Sequence, residues 1–252
     1  MSDSDILQVN HVTKVYPNGI KGLDDISFNV KRGEFIAVVG LSGAGKSTLF
    51  RSINRMQDIT NGEIFINGTD ISKLKGKELR HFRRKIGMIF QSFNLVNRLT
   101  VQKNVLSGRV GYYSTWKTIL GLYSKGDKEK AVRSLDHVNM LKKLYDRADS
   151  LSGGQMQRVA IARTMMQEPD LVLADEPVAS LDPKTSEGVM KDLRNLNVKD
   201  HDTVLVNLHS IDLALEFADR IIGIRDGQLV FDKAAAQSTP DDLKEIYEGG
   251  NS

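Results

Sequence analysis

The run Phe35-Ile36-Ala37-Val38-Val39, followed by Gly40-Leu41-Ser42-Gly43-Ala44-Gly45-Lys46-Ser47, constrains the fold more than any other part of this 252-residue chain. An apolar run, a glycine-rich turn and the helical pattern that begins at Thr48-Leu49-Phe50 make a strand, loop and helix unit, and the loop fits G-x-x-x-x-G-K-[ST]. Gly40, Gly43 and Gly45 let the backbone curl so that successive N–H groups converge on phosphate oxygens. The helix that follows adds a dipole that favours an anion at its N-terminus. In such a loop Lys46 reaches the β- and γ-phosphates and Ser47 offers its hydroxyl to Mg²⁺. A glycine turn that merely joined a strand to a helix would need neither residue in register.

A second anion site is predicted at Leu151-Ser152-Gly153-Gly154-Gln155. Val159, Ala162 and Met166 follow with helical spacing, and Arg158 and Arg163 lie off that face. Ser152 is placed to cap this helix, beside the bare N–H groups of Gly153 and Gly154. One nucleotide has one terminal phosphate, so a second donor set is most useful facing it from another molecule. Hydrolysis also needs a carboxylate at the end of a buried strand, and Leu171-Val172-Leu173-Ala174-Asp175 supplies it. Glu176 follows at once and is suited to polarise the attacking water. The run Thr203 to Leu208 reads as another buried strand and ends at His209, where ligands gather in doubly wound sheets. Gln91 follows the strand pattern Lys85 to Phe90.

In this order the motifs resemble the ATP-binding-cassette family, whose signature is Leu-Ser-Gly-Gly-Gln and whose subunits sandwich two ATPs head to tail. The resemblance implies an α/β fold: a P-loop NTPase (RecA-like) core with an antiparallel β subdomain and an inserted α-helical subdomain. It implies that Gly40, Leu41, Ser42, Gly43, Ala44, Gly45, Lys46, Ser47 and Thr48 bind ATP, with Tyr16 as the aromatic platform for adenine. Mg²⁺ falls to Ser47, Gln91 and Asp175, and catalysis to Glu176 as base, with His209, Gln91 and Lys46. Ser152, Gly153, Gly154 and Gln155 contact ATP across a homodimer, and Asp182 links the two sites.

Period changes divide the chain. Residues 1–91 and 169–252 are predicted to form the catalytic core with its strand layer, and 92–168 the helical subdomain that bears the signature. Thr239-Pro240-Asp241-Asp242 signals a helix start, and Gly249 to Ser252 reads as a loose tail. The basic run Lys73 to Lys85 reads as an amphipathic helix with a solvated face, its apolar side being Leu79, Phe82 and Ile86. The segment Val105 to Trp116, which holds the single tryptophan, is expected to form a satellite aromatic cluster of the helical region.

No stretch approaches about 18 consecutive apolar residues, so no span is predicted, and the acidic Met1 to Asp5 argues against a secretory signal. Zero cysteines exclude disulfides and thiolate metal sites, and a net charge of +3 demands no nucleic acid partner. Within the family, the segments Val105 to Trp116, Ala174 to Pro183 and Val206 to His209 are similar to the phosphonate-import branch. That similarity implies a peripheral ATPase on the cytoplasmic face of a membrane, homodimeric, bound to integral permease subunits and through them to a solute-binding protein. Three alternatives are an export or lipoprotein-release ATPase, a soluble cassette of DNA repair or translation, and a plain P-loop kinase or GTPase. The last leaves the signature unexplained. Repair cassettes with long coiled coils need hundreds of residues between Lys46 and Ser152, and translation cassettes come in pairs; here the gap is about a hundred residues and there is one cassette.

Overall fold

The computed structural model describes residues 5–248. Its strands are β1 (Asp5–Val15), β2 (Lys21–Lys31), β3 (Phe35–Val39), β4 (Asn61–Ile66), β5 (Thr69–Asp70), β6 (Ile86–Phe90), β7 (Leu171–Asp175), β8 (Thr203–Asn207), β9 (Arg220–Arg225) and β10 (Gln228–Ala234). The helices are α1 (Lys46–Ile53), α2 (Gly76–Phe82), α3 (Val101–Leu106), α4 (Thr115–Ile119), α5 (Lys125–His137), α6 (Gly153–Met165), α7 (Pro183–Asp200), α8 (Ile211–Phe217) and α9 (Pro240–Glu248). The strands make two sheets, one ordered β2-β1-β4-β5 and antiparallel, the other ordered β10-β9-β3-β8-β7-β6. In the second sheet β9, β3, β8, β7 and β6 run parallel, and β10 is antiparallel to β9.

The two sheets follow different sequence periods because their surroundings differ. From Ile26 to Val30 of β2 the buried side chains alternate, Ile26, Phe28 and Val30, as a one-sided sheet requires, and Leu23 is buried ahead of them. Strands β3, β7 and β8 are buried at all five positions, which is why they read as continuous apolar runs. Their side chains divide between two cores. Ile36, Val38, Leu171, Leu173 and Leu205 pack with the antiparallel sheet and with Leu49, Phe50 and Ile53 of α1. Phe35, Ala37, Val39, Val172, Ala174, Val204 and Val206 face the other way, onto residues of α3 and α5 to α9. Each fully buried aliphatic side chain here contributes about 1.5–3 kcal/mol.

Parallel register is what positions the site. Phe90 pairs with Asp175, Asp175 with Asn207, and Asn207 with Val38, so the carboxyl ends of β6, β7, β8 and β3 lie side by side. Between β6 and β7 the described chain carries helices α3 to α6, and α6 packs on α3, α5 and α7.

One expectation needs correction. Ile86 does not lie on the helix of the basic run: α2 ends at Phe82, and Ile86 opens β6, buried and paired with Leu171. Sheet pairing at this position prevails over helical spacing. Arg83 of the same run is exposed, as a solvated face requires, and its guanidinium also donates to the carbonyls of Asn54 and Arg55. Helix α9 does begin at Pro240, with Thr239 and Asp242 exchanging bonds at its start: the Thr239 N–H donates to Asp242 Oδ2 (2.8 Å) and the Asp242 N–H to Thr239 Oγ1 (3.2 Å). Residues 249–252 and 1–4, named above as a tail and an acidic start, lie outside the described residues.

Candidate active site

Strand β3 delivers the chain to Gly40 and α1 takes it away from Gly45, and both glycines are required by close approach. Gly40 has φ 149° and a Cβ there would sit 2.1 Å from the Ile224 carbonyl oxygen; at Gly45, φ 109°, a Cβ would sit 2.4 Å from that of Gly22. Gly45 occupies the cap position of α1 and no side chain caps the helix, so its first N–H groups remain open to an anion. Leu41, Ser42 and Gly43 form the exposed crest of the loop and Ala44 is buried beneath it. Lys46, only 4% exposed, donates from Nζ to the carbonyls of Gly40 (2.7 Å) and Leu41 (2.8 Å). Burial holds its ammonium below its ordinary pKa, and the nearby carboxylates of Glu176 and Asp175 work against that shift. The loop therefore curls around a buried cation at a helix N-terminus, which is a receptor for phosphate.

Beside it, Ser47 Oγ donates to Asp175 Oδ1 (2.9 Å), and Asn207 Nδ2 donates to the same oxygen (2.7 Å) and reaches Ser47 Oγ (3.4 Å). These oxygens fit Mg²⁺, a hard cation usually held by one or two carboxylates and the substrate's own phosphates. Glu176 departs from β7 at φ 52°, a conformation that costs a non-glycine residue about 1–3 kcal/mol. This turn carries its Oε1 to 2.8 Å from His209 Nε2, beyond the end of β8. Gln91 sits exposed immediately after Phe90, next to Asp175 in the sheet register.

Tyr16 is half-buried, and its hydroxyl lies 3.0 Å from Thr48 Oγ1 on α1. The ring is thereby fixed against the phosphate-loop helix. Gly22 is needed for this contact: a Cβ there would sit 2.6 Å from Tyr16 Cε2.

The signature residues form a separate unit. Ser152 and Gln155 make a reciprocal capping box at the start of α6, the Gln155 N–H donating to Ser152 Oγ (3.4 Å) and the Ser152 N–H to Gln155 Oε1 (3.0 Å). Gly154 packs against α7, where a Cβ would meet Thr185 Cγ2 at 2.2 Å, and Gly153 lies over Leu181. Asp182 caps α7, its Oδ1 accepting from the Thr185 N–H (3.1 Å). A hydrogen bond from the Thr185 side chain, and then that backbone bond, hold the Asp182 carboxyl below its ordinary pKa. Among the described residues no hydrogen bond joins Ser152, Gly153, Gly154, Gln155 or Asp182 to the loop around Lys46. Within one chain the two anion sites are distinct.

The aromatic contacts expected of the segment Val105 to Trp116 are made by Tyr112 and Tyr113. Trp116 is 76% exposed on α4, and the aromatic contacts are made by its neighbours instead. The ring of Tyr112 lies beneath the guanidiniums of Arg109 (3.9 Å) and Arg84 (5.0 Å), and Tyr113 meets Tyr123 edge-on. Asn207 is the site residue that sequence reasoning missed. Its one signal was an amide at the end of an otherwise apolar strand.

The ABC transporter family model matches residues 23–179. The phosphonates import ATP-binding protein PhnC of Lactobacillus johnsonii is 57% identical over 246 residues, 98% of this chain and 97% of that protein. Its counterpart from Shouchella clausii is 57% identical over 96% of this chain and 91% of that one. Among solved structures, the ATP-binding cassette MJ0796, dimeric in a post-hydrolysis state with ADP and Pi, superposes with a TM-score of 0.80 at 36% identity, covering 91% of this chain and 98% of that one. The phosphate loop, the carboxylates at the sheet edge and the separate signature helix thus stand in a chain that belongs to the ABC transporter family, as its ATP-hydrolysing cassette.

Proposed function

We propose that this chain powers a membrane importer for phosphonates or related organophosphorus anions, as a homodimer that closes on two ATPs and reopens after hydrolysis. The observation that carries the hydrolytic part is the juxtaposition at one sheet edge of the Lys46 loop, the Ser47 and Asp175 pair, and the Glu176 and His209 pair. Lys46 and the open N–H groups of α1 bind the β- and γ-phosphates. Ser47 and Asp175, with Gln91 beside them, would hold Mg²⁺, which would supply neutralisation of the charge developing on the phosphates. Glu176 takes the proton of the attacking water, and His209 fixes the Glu176 carboxylate and meets the γ-phosphate. Tyr16 stacks on adenine. In the closed dimer, Ser152 and the N–H groups of Gly153, Gly154 and Gln155 approach the γ-phosphate of the ATP held by the other copy, and Asp182 couples the two sites.

The cargo reading rests on similarity along nearly the whole chain to phosphonates import ATP-binding proteins. No helix among the described residues is long and apolar enough to cross a membrane, so cargo passes through separate permease subunits supplied by a solute-binding protein. The groove that includes Phe90, one residue before Gln91, about 430 Å³ and lined by Arg80, Arg83, Arg84 and Arg163 around Met88, suits a permease segment bearing acidic residues. In this reading residues 92–168 form a unit that moves with the permease, on the cytoplasmic face of the membrane. A strain lacking this chain and any second phosphonate system should fail to grow on a phosphonate as sole phosphorus source, while sugar and amino-acid uptake continue. Normal growth would overturn the cargo assignment.

A further inference from the structure

Asn207 is fully buried in β8, between the strand that leads into the phosphate loop and the strand that ends in Asp175. Its neighbours in the strand, Val204, Leu205 and Val206, are apolar, and an apolar side chain here would avoid the cost of burying an amide. The orientation of the amide is fixed by chemistry. A carboxylate only accepts hydrogen bonds, so the NH₂ end must face Asp175 Oδ1 at 2.7 Å, and the same group reaches Ser47 Oγ at 3.4 Å. The other end, Oδ1, is buried without a partner among the described residues. A buried amide satisfied on one side only is a poor structural element, because the orphaned acceptor carries its desolvation cost in full.

These observations make sense together if the second partner arrives with the ligand. We propose that Asn207 is a positioning residue for the metal pair: its amide NH₂ holds Asp175 and Ser47 in their shared geometry before nucleotide binds. Its Oδ1 is the acceptor kept for a donor that enters with the metal, a water of the Mg²⁺ shell. This rests on the reading of Ser47 and Asp175 as metal-holding residues. Without Asn207, Asp175 would keep one hydrogen bond, from Ser47, and its carboxylate could rotate away. Residues that orient metal ligands in this way typically contribute roughly 10–100-fold in metal affinity.

The test compares wild type, Asn207→Leu and Asp175→Asn by Mn²⁺ electron paramagnetic resonance with ATP present, by ATP affinity in EDTA, and by thermal unfolding without ligand. Asn207→Leu should unfold no earlier than wild type and bind ATP equally in EDTA, yet bind Mn²⁺ with ATP roughly 10–100-fold more weakly. Asn207→Val, suited to a strand by its β-branching, is the second variant should the leucine not be accommodated. Unchanged Mn²⁺ affinity in a folded Asn207 variant, with Asp175→Asn strongly impaired, overturns the positioning role alone. Unchanged Mn²⁺ affinity in Asp175→Asn as well overturns the metal-pair reading itself.

Discussion

The carboxylate of Glu176 lies 2.8 Å from the His209 ring although the two are far apart in the chain, because β7 and β8 are neighbours in parallel register and Glu176 turns through a left-handed backbone. In the proposed mechanism, His209→Ala removes the group that fixes the base without touching the phosphate loop. Phosphate release should fall by about 10²–10⁴-fold, with ATP affinity changed by less than threefold, as read by a coupled phosphate assay and nucleotide titration. Retention of near-normal turnover would remove His209 from the mechanism.

The separation of the signature from the Lys46 loop within one chain predicts a division of labour between variants. Ser152→Arg should bind ATP as well as wild type in the monomer but fail to hydrolyse it. Lys46→Ala deletes a phosphate-facing cation and should lose binding itself. Equal loss of ATP affinity in the two, measured by fluorescent-nucleotide titration at monomer concentrations, would mean that Ser152 acts on its own chain's nucleotide.

Gly154→Ala should destabilise the fold by about 1–3 kcal/mol in urea unfolding, because its Cβ would meet Thr185 Cγ2 at 2.2 Å. Thr185→Ser removes that methyl and keeps the backbone N–H that Asp182 accepts from. The double variant should recover most of the loss. No recovery would place the clash elsewhere.

Asp219 accepts two bonds from Arg194 (2.6 and 2.9 Å) and one from the Phe35 N–H (3.0 Å). Burial pushes its carboxyl up, but the guanidinium and the N–H more than reverse this, leaving the pKa below its ordinary 3.8. The unfolded chain then binds the proton more readily than the native one. The pair's contribution is therefore present above the ordinary value and is lost as pH falls below it. Asp219→Asn should be less stable than wild type at pH 7, and the difference should shrink toward pH 3 in urea titrations. A pH-independent difference would contradict this sign.

The motifs around Lys46, Asp175 and Ser152 were legible because each is contiguous: glycines, a lysine and an acid at fixed spacing already specify a loop, a strand end or a helix start. Their arrangement in space was less so. Asn207 reads as a strand end, and only the register with Asp175 reveals what its amide faces. Ile86 satisfies helical spacing after Leu79 and Phe82 but also begins an apolar run, and pairing with Leu171 decided in favour of the strand. Near Trp116, composition gave the aromatic residues but not their partners. Arg84 and Arg109 took Tyr112, and the indole was left exposed.

In the proposed cycle two copies of this chain close on ATP and Glu176 then drives hydrolysis to reopen them. Glu176→Gln keeps the size and shape of the side chain while removing the base. Gel filtration with light scattering in ATP and Mg²⁺ is the direct test: the variant should elute as a stable dimer, return to monomer in EDTA, and release almost no phosphate. A variant that stays monomeric with saturating ATP and Mg²⁺, or a dimer that still turns over normally, would contradict the account.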